Sequence, residues 1–318
     1  MRVPAAGREV VASLALLFAV HILTAPAALA KPVRPERLSA AERDSLARLI
    51  EQGRAEDNEA LRTSPTSYLA TVRRVDYLRR STLVVGSAAD CDVRIEDPGM
   101  PAHALRATVV GDSFHVEALD PVGVVTAGHD AVRDVVLPPS MLRVGRWSVR
   151  LSHQRYPAII VFDPKSPRFA DYKPMPWFPV NFAYRFVAPL VPDPKADTVV
   201  ILSTRGNERR ALRVGWFDLL VGGKPCRFEA QRLLEPGVDE NSISIFFRDA
   251  TTGRESYGVG RYLDPEPLGD GRWLLDFNLA YNPACAFSDH YNCPIPTRSN
   301  TVAVAIRAGA RNPHMAGH

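Results

Sequence analysis

Between Ser39 and Arg62 the apolar residues Ala41, Leu46, Leu49, Ile50 and Leu61 recur at roughly helical intervals. Ser39-Ala40-Ala41-Glu42 precedes them with capping-box spacing, so the pattern predicts a helix ending near Arg62, ahead of Ser64-Pro65. Its other face is dense with charge, as expected of a solvated helix packed on a domain edge. From Tyr68 the period changes to short β-type runs: 81–85, 92–95, 105–110, 113–118, 147–151 and 158–162. Turn signals such as Asp97-Pro98-Gly99, Gly111-Asp112 and Pro138-Pro139 separate them. A second series follows at 182–189, 198–202, 211–221, 242–247, 256–261, 273–278 and 301–306, and Gly222-Gly223-Lys224 reads as a hairpin turn. Runs of this length, without helices between them, indicate sandwiches or barrels rather than βαβ units.

The predicted class is therefore all-β, with two β-rich sandwich- or barrel-like domains and one N-terminal helix. The expected layout is 1–30 signal segment, 31–66 helix and lead-in, 67–162 first β domain, 163–180 linker, 181–310 second β domain and 311–318 tail. The linker is Pro-rich, which favours extended backbone and removes donors. Trp177 and Phe178 within it are expected to pin it onto a core.

Composition narrows the class. The chain has 318 residues, 39 Lys+Arg against 35 Asp+Glu, a formal charge of +4 and 46% hydrophobic residues. That is enough for one or two packed domains and excludes a disordered chain or a disulfide-packed miniprotein. The charge is too small to argue for nucleic acid, and no nucleic-acid partner is expected. Arg2 and Arg8 precede an uncharged apolar stretch closing on Ala28-Leu29-Ala30, the small-x-small pattern of signal cleavage. An uncleaved anchor is the rival reading, but Pro26 interrupts the apolar run, so we expect export to a bacterial periplasm or medium with no stable span after cleavage.

Export changes how the four cysteines are read. Cys285 and Cys293, eight apart in a Pro-rich loop, are the expected disulfide, a bridge contributing about 2.5 kcal/mol by loop entropy. His290 lies between them, but three ligands without a fourth nearby make a poor zinc pattern, so no metal is expected. Cys91 and Cys226 read as buried free thiols.

Two resemblances follow from particular words. Val85-Gly86-Ser87, Asp90-Cys91-Asp92-Val93-Arg94-Ile95, Pro101-Ala102-His103-Ala104 and Leu142-Arg143-Val144-Gly145 resemble a forkhead-associated sandwich over residues 83–150. In that family a Gly-Arg pair and a Ser-x-x-His segment supply the phosphate-binding loops. Here Ser87 stands at the Arg position and the segment around His103 lacks the Ser, so the resemblance implies a scaffold without that chemistry, and a structural turn role for His103. The longer words of the second block are Phe246–Leu263, Leu275–Phe287, Cys293-Pro294-Ile295-Pro296, Trp177–Val180 and Tyr184-Arg185-Phe186. They resemble DUF1684, a bacterial family of unknown function, over about Glu42 to Ala310. That resemblance implies no agreed reaction.

The candidate chemistry lies in the same words. A regular hairpin over Phe246–Leu263 would place Tyr257, Val259 and Arg261 on one face and Gly258 and Gly260 on the other. Two glycines on one face suggest close approach by a ligand, by another backbone or by a ring. Arg185, Arg248 and Arg261 would clamp an anionic group if they converged; Arg248, Asp249, Glu255 and Arg261 would otherwise form an ion network. Asp276 and Asn278 either satisfy buried backbone or line a cavity. No nucleophile elbow, zinc-protease motif, phosphate loop or dinucleotide fingerprint is present, and no cofactor is expected. The reading is an exported binding or scaffold protein holding a small anionic or amphipathic ligand in the second β domain, near Arg185, Arg248, Asp249, Glu255, Tyr257, Arg261, Asp276 and Asn278. The alternative is a hydrolase using Asp249, Glu255 or Asp276 with Arg261 stabilising negative charge.

Overall fold

The computed structural model describes residues 31–120, 125–128 and 130–315; the expected signal segment lies outside the described residues. The expected helix is present as α1, Ala40–Thr63. Ser39 caps it by accepting from the Glu42 N–H, and the Glu42 carboxylate accepts from the Ser39 N–H at 2.7 Å. Because this reciprocal cap satisfies two end donors, Ser39→Ala is expected to cost about 1 kcal/mol, read as a lower denaturation midpoint.

The remaining regular structure among the described residues is strands and short 3-10 turns. The first block holds two sheets. One is antiparallel in the order Thr71–Asp76, Ala158–Phe162, Trp147–Ser152, Met141–Val144, Val125–Ala127, Asp130–Val132. The other runs Val93–Arg94, Thr82–Gly86, Leu105–Val110, Ser113–Ala118, Asp134–Leu137, with only its first pair parallel. Alternation along these strands gathers Tyr77, Leu83, Val85, Phe114, Val116, Leu142, Val149 and Leu151 into one buried core.

The second block is organised by one long hairpin. Glu208–Val221 pairs with Lys224–Leu233 through the two-residue turn Gly222-Gly223, both at positive φ, as the right-handed twist of a hairpin demands. Thr198–Leu202 and Val191–Pro192 extend that sheet, and Arg185–Pro189, Arg272–Asp276 and Glu266–Pro267 form another. Phe277 sits at the centre of the core, its ring 5.2–6.1 Å from those of Phe186, Phe228 and Phe247. The residues that follow Phe277 in sequence are therefore held by the core itself. Contacts such as Thr71 Oγ1 to Tyr291 Oη at 2.9 Å and the Arg205–Asp76 ion pair tie the blocks together.

One expected element differs. The hairpin over Phe246–Leu263 is paired only at Ile245–Phe247 with Arg261–Leu263. Residues 248–260 form a folded loop because the Asp249 carboxylate, buried, accepts from Thr251 Oγ1, Thr252 Oγ1 and the Ile306 N–H. The Thr251 carbonyl accepts from the N–H groups of Arg254, Glu255 and Ser256. Short polar side chains here outcompete the ladder for the backbone. The face alternation expected for 256–262 is lost with it. Thr301–Ile306 likewise contributes a single bridge, Thr301 to Arg248, instead of a strand.

Candidate ligand-binding cavity

α1 presents Leu49, Ile50, Gly53, Arg54, Asp57, Ala60 and Leu61 on one face, with Glu56 beside them and Ser64 at its C-cap. Across from it stand Met175 and Trp177 of the linker and Asn278, Leu279, Tyr281 and Asn282, which follow Phe277. Between them lies a cavity of about 680 Å³, whose lining also includes Tyr68 and Phe287, their rings stacked at 5.6 Å. That volume is in the range of small-molecule sites. The lining is mainly apolar, and Leu49 and Leu279, 62% and 52% exposed, form its rim.

Arg54 holds the walls together. It is 4% exposed; its Nη1 donates to Glu51 at 2.9 Å and to the Phe178 carbonyl at 3.0 Å, and Nη2 donates to the Asn278 carbonyl at 3.1 Å. Its guanidinium carbon lies 4.9 Å from the Trp177 ring centroid. Burial pulls the Arg54 pKa down, against the opposing pull of Glu51. Asn58 Oδ1 accepts from the Met175 N–H and from Tyr172 Oη, both at 2.6 Å, clasping the linker to the helix. Three buried polar atoms on the cavity-lining residues have no protein partner: Arg54 Nε, Trp177 Nε1 and Asn282 Oδ1. These atoms are themselves shut off from the open space, and burying them unpaired costs free energy.

The residues singled out from sequence lie mostly elsewhere. Asn278 alone among them lines this cavity. Arg185 donates to Glu36 and Asp276, each at 2.8 Å. Arg248 Nε donates to the Val259 carbonyl, and Arg261 is buried among the carbonyls of Ile306, Ala308 and Ala310 beside Asp249. The three guanidinium groups therefore meet different partners and do not form one clamp. Glu255 pairs with Arg307, which holds its carboxyl below the usual range. Asp276 Oδ1 accepts from the Asn278 N–H and Nδ2, the backbone-satisfying role. Tyr257 Oη donates to the Cys285 carbonyl at 3.0 Å. Gly260 makes the close approach its φ of +122° suggests, with the Phe247 carbonyl and Pro296 where a Cβ would stand; a Cβ on Gly258 would meet only Gly253 Cα, at 4.0 Å. The expected Cys285–Cys293 bridge is not formed: Cys293 Sγ accepts from the Cys285 N–H at 3.3 Å instead, and all four cysteines are free thiols. His103 contacts Asp90 at 2.9 Å, and among the described residues Asp90, Cys91 and His103 are the one His/Cys/Asp/Glu group close enough to share an ion.

Sequence reasoning missed Arg54, Asn282 and the cavity role of Trp177. A signal was present: Ile50, Arg54, Asp57 and Leu61 share one helical stripe, so a guanidinium and a carboxylate interrupt the apolar face.

These features define a β-rich protein with a ligand-sized cavity between its helix and its C-terminal segment. The chain belongs to the family described as protein of unknown function DUF1684, whose profile matches residues 170–311. It is 34% identical to an uncharacterized protein of Haloarcula marismortui solved by NMR, over 45% of this chain and 78% of that one, at a TM-score of 0.37. Matches also include forkhead-associated domains. One, from a study of phosphothreonine-dependent interactions, is 20% identical over 26% of this chain and 78% of that one, at a TM-score of 0.21. A further match is Mycobacterium tuberculosis EmbR in complex with a low-affinity phosphopeptide, 14% identical over 40% of this chain and 32% of that one, also at a TM-score of 0.21. No curated protein matches the chain.

Proposed function

We propose that this is an exported, non-enzymatic binding protein whose cavity between α1 and the 277–282 segment takes a small amphipathic ligand. The carrying observation is a cavity of about 680 Å³ whose largely apolar lining carries a few polar groups, Asp57, Ser64, Thr66, Ser67 and Asn278 among them. Apolar surface with hydroxyl and amide groups beside it suits a neutral ligand with an apolar body and a small polar end. Its apolar body would lie along Leu49, Ile50, Leu61 and Leu279. An anionic ligand fits less well, because the Arg54 Nη atoms are spent on Glu51 and two carbonyls. The carboxylates considered for hydrolysis are paired elsewhere, and none lines this cavity.

Gly53 supplies the test. It lines the cavity, and a Cβ added there meets no atom within 4 Å. Gly53→Leu fills the cavity from a helix whose propensity it raises by about 0.8 kcal/mol. The wild type is expected to bind the neutral amphipathic dye N-phenylnaphthylamine with a rise in fluorescence. Gly53→Leu should lose that binding about tenfold or more at undiminished stability; unchanged dye affinity in this variant would sink the proposal. Export is checked separately by sequencing the N-terminus of the protein recovered from the periplasm or medium. A start at Lys31 supports cleavage, and retention of residues 1–30 overturns it.

A further inference from the structure

A second cleft, of about 490 Å³, is lined by Thr71, Ser166, Arg168, Cys285, His290 and His314 among others. It meets the ligand cavity proposed above only at Phe287, and nothing in the binding function uses its other residues. Cys285 lies in its wall and is half-buried, whereas Cys293 is 7% exposed and lies behind it. The Cys285 N–H donates to Cys293 Sγ at 3.3 Å. Thr204 Oγ1 accepts from the Cys293 N–H at 3.0 Å, and Tyr257 Oη fixes the Cys285 carbonyl. The loop between the two cysteines is braced by 3-10 bonds from Ala286 to Pro283 and from Phe287 to Ala284. Cys293 Sγ therefore lies against the Cys285 backbone in a braced loop, with Cys285 in the wall of the cleft and Cys293 behind it. That order is what a nucleophilic thiol and its resolving partner require. The electrostatics run the same way. Hydrogen bonding from Cys293, Tyr257 and Thr204 pulls the Cys285 thiol down, against its burial, whereas its bond with Cys285 and burial push Cys293 up.

We propose that Cys285 and Cys293 form a thiol–disulfide exchange site acting on a small-molecule disulfide bound in this cleft. The Cys285 thiolate attacks one sulfur of the disulfide R–S–S–R, and that S–S bond breaks. One thiol leaves carrying the proton that Cys285 released, and Cys285 holds the other half as a mixed disulfide. Cys293 then gives up its proton and attacks the Cys285 sulfur, the mixed disulfide breaks, and the second thiol departs. The protein loses two electrons and two protons to form the Cys285–Cys293 bond, and the ligand is reduced to two thiols. A cleft of this volume suits a small disulfide such as glutathione disulfide better than a folded protein partner.

The experiment exposes the reduced full-length protein to glutathione disulfide and follows it by mass spectrometry of the intact chain and its tryptic peptides. Wild type is expected to lose two of its four thiols and to link the Cys285 and Cys293 peptides. Cys293→Ser should trap one glutathione on Cys285, whereas Cys285→Ser should remain unmodified at Cys293. In reduced wild type, iodoacetamide should label Cys285 about tenfold or more faster than Cys293. Retention of all four thiols overturns the proposal, as does glutathione captured first on Cys293 or a bridge to Cys91 or Cys226. The peptide linkage and labelling order are read on wild type, so a variant that fails to fold leaves the proposal fully testable.

Discussion

Arg261→Met is expected to lower the unfolding free energy by about 3–5 kcal/mol, the largest effect of any single side chain in the second block. Arg261 is 1% exposed, the largest side chain buried so fully. Its guanidinium donates to the carbonyls of Ile306, Ala308 and Ala310 and lies 3.4 Å from Asp249 Oδ2. The rings of Phe178 and Phe247 flank it, at 5.6 and 5.2 Å. Burial pulls its pKa down while Asp249 opposes that pull, the mark of a charge held out of water by one counter-ion. Methionine fills the volume but strands three carbonyls and a buried carboxylate, and unpaired buried groups carry most of the penalty. The double variant Arg261→Met with Asp249→Asn should recover part of the loss, because the stranded charge goes with its partner. Chemical denaturation at neutral pH measures both; a single-variant loss below about 1 kcal/mol would contradict a structural role.

Arg261 also shows where sequence reading reached its limit. The two β series, the capped helix, the Gly222-Gly223 hairpin and the buried Phe178 were legible because each depends on local period or turn chemistry. The destination of a guanidinium depends on what a distant segment brings to it. For Arg261 that segment is 306–310, more than forty residues away, and no periodicity near position 261 encodes the meeting. The same holds for the 248–260 loop, where alternation would have been right for a ladder but Asp249 found the Ile306 N–H. The cavity was harder still. Its two walls come from α1 and from residues after Phe277, joined by Arg54 donating to carbonyls 124 and 224 positions away. Only the charged residues in the apolar stripe of α1 hinted at it.

Gly309→Ala is the second large effect expected, and it joins stability to the cavity. Gly309 has φ +78°, and a Cβ there would stand 2.5 Å from the Ala280 carbonyl oxygen and 2.6 Å from that of Phe277. Both obstacles are backbone, held by the Phe277 core, so neither yields cheaply. The left-handed conformation alone costs an alanine about 1–2 kcal/mol. Gly253→Ala isolates that term, because Gly253 has φ +76° and nothing within 4 Å of the added Cβ. Gly309→Ala should therefore exceed Gly253→Ala by about 2 kcal/mol or more, the cost of displacing packed backbone. The displacement has a direction. The Gly309 carbonyl accepts from the Phe178 N–H at 2.9 Å, and Trp177 bridges Ala310, so a shifted 309 turn carries the Trp177 wall away from α1. Dye binding should weaken in Gly309→Ala under conditions where the protein remains folded, while Gly253→Ala binds as wild type. Equal stability losses in the two variants would show that the 309 turn moves freely. The cavity wall would then rest on Arg54 and Asn58 of α1 rather than on the 309 turn.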